Sequence, residues 1–251
     1  MSGIIEAVEK AVITTTTEWA LSMSITENYQ RIREEIPDHV TIVLAAKTRT
    51  QEEVEEAIAA GATDIGENYV QEGETMHALL GDRASTVTWH MIGDLQTNKI
   101  NKTLPVFDMI QTIDSLKKAE AVSLRSERID KIMPVLIEIN IGSERTKSGV
   151  APQLAIVESL VREAAHLPGI TICGLMTMGP RFGDPEKSRE YFRKTRKIFE
   201  TIREQQIDNV IMKHLSMGMS NTYKVAVEEG ATMVRLGTCV FGQRDGASCS
   251  R

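Results

Sequence analysis

Lys47 stands directly after the apolar run Ile42-Val-Leu-Ala-Ala46, at the point where a strand should end. A lysine there either snorkels into water or, partly desolvated, offers a neutral amine that can form a Schiff base. Two other segments change that weighting. Ser216-Met-Gly-Met-Ser220 follows the apolar stretch 209–215, and Gly237-Thr238 follows Thr232-Met-Val-Arg-Leu236. Glycine lets backbone N–H groups approach an anion, and a helix start beyond it favours negative charge. Ser220 alone reads as a helix cap and Gly237-Thr238 alone as a tight turn; together they favour a phosphate group. Arg235 lies in an otherwise apolar strand, so it needs either a structural ion pair or a ligand. A Schiff-base lysine, a phosphate cradle and an arginine are the parts needed to hold pyridoxal phosphate, arginine being one partner for its pyridine nitrogen. A Schiff-base phosphosugar aldolase needs much the same parts, and residue types leave both open.

These residues must be carried by regular elements, and the pattern supplies them. Thr41 to Ala46 reads as a buried strand, followed by the capping box Thr50-Gln-Glu-Glu53 and a helix with Val54, Ala57 and Ile58 on one face. A short strand at 62–65 precedes a helix over 67–80. Strands at 87–92, 109–113 and 133–141 alternate with a polar helix from about Gln96, a charged amphipathic helix over 115–129, and a helix near Pro152 bearing Leu154, Val157, Val161 and Ala164. Strands at 170–176, 209–215 and 232–236 are separated by a helix with Tyr191, Thr195, Ile198, Phe199 and Ile202 on its apolar face, and by a short one over 222–229. Short apolar strands between helices imply a parallel sheet buried on both faces. Eight of them predict a closed (β/α)8 TIM barrel, with a doubly wound open sheet as runner-up. The expected organisation is one domain over 1–251: an N-terminal helix over about 1–36, a barrel over about 41–243 and a tail over 244–251. In such barrels the site lies at the C-terminal ends of the strands, where Lys47, Ser216 to Ser220 and Gly237-Thr238 fall.

The 251 residues carry 29 Lys and Arg against 35 Asp and Glu, a net charge of −6, with 41% apolar residues. That composition supports a large folded core and argues against nucleic acid or an anionic membrane as the main partner. Cys173, Cys239 and Cys249 form no CxxC pair, so neither a disulfide framework nor a structural metal site is expected. The N-terminal stretch has no signal-peptide form and no run approaches the ~20 apolar residues of a membrane helix, so the expectation is a cytoplasmic protein.

The segments Ala45-Ala-Lys-Thr48, Ile65-Gly-Glu-Asn-Tyr-Val-Gln-Glu72, Trp89-His-Met-Ile-Gly-Asp-Leu-Gln-Thr-Asn-Lys99, Ile139-Asn-Ile141 with Lys147-Ser-Gly149, Gly174-Leu-Met176, Leu215-Ser-Met-Gly-Met-Ser220 and Met233-Val-Arg-Leu-Gly-Thr238 resemble, in order, the pyridoxal phosphate homeostasis protein family. That family is related to the barrel domain of alanine racemase. The resemblance implies that Lys47 carries the cofactor covalently through a Schiff base. It also implies that Ser216, Ser220, Gly237 and Thr238 surround its phosphate, that Arg235 faces its pyridine nitrogen, and that Asn68 lies near its ring. His90 is expected in the same pocket wall or as a satisfied core histidine. Asp94 departs from the proline the family more often has, and Ala46 from the common serine.

Family members are thought to store and deliver the cofactor, with apo-enzymes that need it as recipients, rather than to turn over a substrate. The alternative is a weak amino-acid racemase. Racemisation needs two positioned acid/base groups, and in alanine racemases the second is a tyrosine from a further domain of the partner subunit. Only residues 244–251 follow the predicted barrel, so a carrier, expected to be monomeric, is the favoured reading, with the aldolase a distant third. Tyr69 and Tyr223, after the second and seventh strands, are local candidates for a second proton group.

Overall fold

The computed structural model describes residues 24–142, 148–179 and 183–243. The expected N-terminal helix is present as α1 (Ile25–Glu35), opened by a Ser24–Glu27 capping box; the remainder of that stretch, 1–23, and the tail 244–251 lie outside the described residues. Eight parallel strands then close into a barrel in chain order. They are β1 (Thr41–Ala45), β2 (Asp64–Glu67), β3 (Thr88–Met91), β4 (Met109–Ile113), β5 (Met133–Ile139), β6 (Ile170–Thr177), β7 (Val210–Ser216) and β8 (Met233–Leu236). The closing pair is β1 with β8, in the register Val43↔Arg235.

Between the strands run α2 (Gln51–Ala59), α3 (Val70–Leu80), α4 (Ile100–Thr103), α5 (Leu116–Glu127), α6 (Leu154–Ala164), α7 (Arg189–Glu204) and α8 (Tyr223–Glu228), with α9 (Thr238–Phe241) after β8. The Thr50–Glu53 box caps α2 as its sequence requires. Two elements differ from the sequence pattern. β2 runs over 64–67 rather than 62–65, because Ile65, Gly66 and Glu67 are all buried and extended; Asn68 and Tyr69 then form the turn into α3. The polar helix expected from Gln96 is only a 3-10 turn over Thr97–Lys99 followed by the single turn of α4. Too few apolar positions recur there to support a longer helix.

The alternation of each strand sorts its side chains into two cores. Outward residues such as Ile42, Leu44, Ile65, Met91, Ile110 and Ile137 pack under the helices. Val43, Ile92, Met109, Leu136, Met176 and Met233 pack in a small cluster inside the barrel. A Cβ on Gly66 would stand 2.8 Å from Val43 Cγ1 and 2.9 Å from Ile92 Cδ1, so this glycine makes room for the inner cluster. The parity matters for function: Lys47 continues the inward row of Val43 and Ala45, and Arg235 shares the inward row of Met233 on the adjoining strand. No helix among the described residues is long and apolar enough to cross a membrane, and no cluster of His, Cys, Asp and Glu among them could hold a metal ion.

Candidate functional site

Lys47 lies two residues past Ala45, half-buried at the mouth of the barrel. Its Nζ stands 3.5 Å from the Tyr69 hydroxyl and 4.7 Å from the centre of the Tyr69 ring. Thr48 follows with φ +64°, which breaks the strand direction immediately after the lysine. The β1–β2 register Ala45↔Gly66 sets Asn68 level with Lys47 on the neighbouring strand. Gly93 fits against Asn68: a Cβ there would come 2.1 Å from the Asn68 carbonyl oxygen, so only glycine allows the ends of β2 and β3 to close up. Beyond them opens a cleft of about 370 Å³ lined in part by Asn68, Tyr69, Gln71, Asp94 and Lys99. This cleft shares Asn68 and Tyr69 with the surroundings of Lys47 but none of Arg235, Ser220 or Gly237.

On the other side of Lys47, the loops after β7 and β8 are joined by Ser220. Its Oγ accepts the backbone N–H groups of Gly237 (3.1 Å) and Cys239 (3.4 Å). Ser220 is therefore not the cap of α8, a place taken by Thr222; it bridges from one loop to the first turn of α9. Both N–H groups at the start of α9 are thereby satisfied by the Ser220 hydroxyl, which keeps its own proton to donate. Thr238 is exposed beside them. Gly218, at φ +94°, allows the loop to fold so that its carbonyl accepts the Arg235 N–H at 3.0 Å; a Cβ there would meet Ala226 Cβ at 2.6 Å. The open side of Gly237 faces Ala45, whose oxygen is 3.6 Å from where a Cβ would stand. The cradle and the lysine strand are thus in contact.

Arg235 is only 5% exposed, inside the barrel. Its Nη1 donates to Ser216 Oγ at 2.6 Å and its Nη2 to the Thr177 carbonyl at 2.9 Å. Burial pulls its pKa down to about 10, with Glu138 favouring the charged form through space. Glu138, on β5, is itself buried; one oxygen accepts from Ser148 at 2.8 Å and the other has no partner among the described residues. Burial pushes its carboxyl above the usual range.

The structure separates the expected site residues into two layers. Lys47, Asn68, Ser220, Gly237 and Thr238 stand at the mouth. Ser216 and His90 do not join that layer. Ser216 is fully buried, and its hydroxyl is committed to Gln111 and Arg235. It is removed from the cradle because β7 extends to residue 216, which puts this side chain in the inward row of the strand rather than in the loop. Both ring nitrogens of His90 are used inside the barrel, Nε2 with Asp64 at 2.8 Å and Nδ1 with Gln111 at 3.1 Å. Of the two tyrosines, Tyr69 reaches Lys47, whereas the Tyr223 hydroxyl donates to Glu35 on α1 at 2.5 Å. Sequence reasoning missed Gln111, Glu138 and Glu67. For two of them the signal was available: Gln111 and Glu138 are polar residues inside apolar strands, the same feature that singled out Arg235, whereas Glu67 is the last residue of β2.

Asp94 also finds a physical place. It pairs with buried Lys118 at 2.8 Å, which also holds Asp114 at 3.0 Å, so the loop after β3 is tied to the β4–α5 turn. Burial alone would lower the Lys118 pKa, but the two carboxylates more than offset it and leave it raised.

The sequence pattern of the alanine racemase N-terminal domain matches residues 22–245. A relative from Aquifex aeolicus called pyridoxal phosphate homeostasis protein is 39% identical over 200 residues, covering 80% of this chain and 85% of that one. Structures of PipY from Synechococcus elongatus, without and with PLP bound, are similar with TM-scores of 0.81 and 0.79. Each is 30% identical and covers 87% of this chain and 100% of that one.

Proposed function

The chain belongs to the pyridoxal phosphate homeostasis protein family, and from that premise we propose that it binds pyridoxal 5'-phosphate and holds it for delivery to enzymes that need it. The observation that carries the reading is the placing of three parts on, or just after, the adjoining strands β7, β8 and β1. An amine stands at the end of β1, a buried guanidinium on β8, and the loops after β7 and β8 are joined by the Ser220 hydroxyl, which accepts two backbone N–H groups and keeps its own proton to donate. This donor set suits an aldehyde that also bears a phosphate and a ring nitrogen able to accept a hydrogen bond.

In this reading Lys47 supplies the amine that holds the cofactor. Ser220, Gly237 and Thr238 hold its phosphate, Asn68 stands beside its ring, and Arg235 faces its nitrogen. When bound, pyridoxal phosphate supplies an aldehyde that joins amines reversibly, which is the chemistry that both storage and release require. The residues around it restrain further chemistry. A cationic Arg235 at the ring nitrogen disfavours a proton there, and so weakens the ring as an electron sink. Ser216 and Thr177 hold that guanidinium in place.

A racemase reading has one observation in its favour, the Tyr69 hydroxyl 3.5 Å from Lys47 Nζ. One experiment tests both readings. Loaded protein is mixed with an apo-enzyme that requires the cofactor and, separately, with alanine, serine and other amino acids in heavy water. Recovery of the apo-enzyme's activity with no deuterium entering the α-position is the expected result. Steady deuterium incorporation with inversion, lost in Lys47→Ala and in Tyr69→Phe, would replace the carrier by a racemase.

A further inference from the structure

The inside of the barrel holds a continuous run of polar groups beneath the mouth. Arg235 reaches Ser216 at 2.6 Å, Ser216 reaches Gln111 at 2.7 Å, Gln111 reaches His90 at 3.1 Å, and His90 reaches Asp64 at 2.8 Å. The five residues come from β8, β7, β4, β3 and β2, so the run crosses the barrel from wall to wall. The storage of a cofactor does not by itself require Gln111, His90 or Asp64 here, and burying such groups unpaired would be costly.

The direction of every bond is fixed by chemistry. A guanidinium has only donors, so Ser216 must accept from Arg235, and its single proton is free to go to Gln111 Oε1. The other end of the Gln111 amide is set independently. Its Nε2 lies 3.1 Å from the Met233 sulfur, which can only accept. With Nε2 as the donor, His90 Nδ1 must be the unprotonated nitrogen, and the imidazole proton sits on Nε2, facing the Asp64 carboxylate. Three neutral groups therefore link a buried cation to a carboxylate, with all donors pointing the same way.

We propose that Ser216, Gln111, His90 and Asp64 form an oriented hydrogen-bond chain that positions Arg235 and couples protonation of His90 to this buried guanidinium. A second proton on His90, at Nδ1, would face the Gln111 amide donor and force the amide to turn. Its NH2 end would then meet Ser216, which already accepts from Arg235, and the Met233 sulfur would face a carbonyl oxygen. Ser216 would then accept from both Gln111 and Arg235, its own proton would lose Gln111 as acceptor, and the hydroxyl would have to turn, which changes its hold on the guanidinium. Charged or titratable groups facing His90 are Asp64 on β2, bonded to its ring, His214 on β7 and, through the chain, Arg235 on β8. His214 is held neutral chiefly by burial, with Lys213 adding to it, its pKa drawn down to about 4, so over the neutral range it does not compete as the proton acceptor. Ser216 and His90 are thus positioning residues, and the part of the proposal that concerns the cofactor rests on the function proposed above.

The test has two arms. In the first, no cofactor is present, and nitrogen NMR of histidine-labelled protein reads the His90 ring. The wild type should show a neutral ring protonated at Nε2. Gln111→Glu, which presents an acceptor instead of a donor, should raise the proton affinity of His90 tenfold or more. Ser216→Ala and Arg235→Met should each move the His90 titration as well. A ring protonated at Nδ1, or a titration that none of these variants moves, overturns the chain. In the second arm, Gln111→Met and Ser216→Ala are loaded with pyridoxal phosphate; both leave Lys47 and the cradle intact. The cofactor should bind with a displaced absorbance band and a changed pH profile of that band. Wild-type spectra in both variants would overturn the coupling to the ring. Failure of the wild type to take up pyridoxal phosphate would sink the functional reading instead, while the first arm still decides the chain.

Discussion

Replacing Glu67 by glutamine should make the stability of the folded protein far less sensitive to rising pH in the window between 4.5 and about 8. Glu67 is 1% exposed at the end of β2, and its Oε2 has no partner among the described residues; nor has the Oε2 of Glu72, whose charge it feels. Burial, and then Glu72, push its pKa from 4.5 up to about 8, against a smaller opposing pull from the Asn68 backbone N–H and Lys47. Between those two values the folded protein holds a proton that the unfolded chain has released. Stability therefore falls as pH rises through this window and levels off above about 8. At ~1.4 kcal/mol per pH unit, the loss between pH 6 and pH 9 through this one group is roughly 2–3 kcal/mol. Glutamine mimics the protonated form at every pH and should abolish it. Urea unfolding of wild type and Glu67→Gln at pH 6 and pH 9 measures the difference of differences, in which other titrating groups cancel. Equal losses in the two proteins would refute the reasoning, and with it the idea that a neutral carboxyl is kept beside the Asn68 turn.

Two further outcomes follow from the mouth. Ser220→Ala combined with Thr238→Ala should weaken pyridoxal phosphate much more than unphosphorylated pyridoxal, each lost charge-assisted hydrogen bond counting roughly 1.5–3 kcal/mol, or about tenfold in affinity; equal weakening of both ligands, read by titration calorimetry, would place the phosphate elsewhere. Gly218→Ala combines φ +94° with a Cβ 2.6 Å from Ala226 Cβ; the backbone strain alone costs on the order of 1–3 kcal/mol, so its thermal midpoint should drop by several degrees, and an unchanged midpoint would contradict the loop geometry.

The barrel was legible in the sequence because its strands are short and apolar and its helices begin with chemical signals such as Thr50–Glu53. The mouth residues were legible for the same reason: a strand end followed by Lys47, or by Gly237-Thr238, has a known place in a parallel barrel. What the sequence could not display is the inward partner. Ser216 and Gln111 are 105 residues apart, and their hydrogen bond exists only because closure of the sheet puts β4 and β7 on facing walls. Without that closure, Ser216 looks like another loop hydroxyl of the cradle, and His90 stays open between a pocket wall and a satisfied core histidine. The role of Ser220 was hidden in a similar way, since a serine just before a helix reads as its cap, whereas here the oxygen serves the next loop.

The account rests most directly on Lys47. The protein should be loaded with pyridoxal phosphate, reduced with borohydride, digested and examined by mass spectrometry. A pyridoxyl adduct on the peptide containing Lys47, absent from Lys47→Ala, is the predicted result. A reproducible adduct on another lysine, with Lys47→Ala still taking up the cofactor normally, would contradict it.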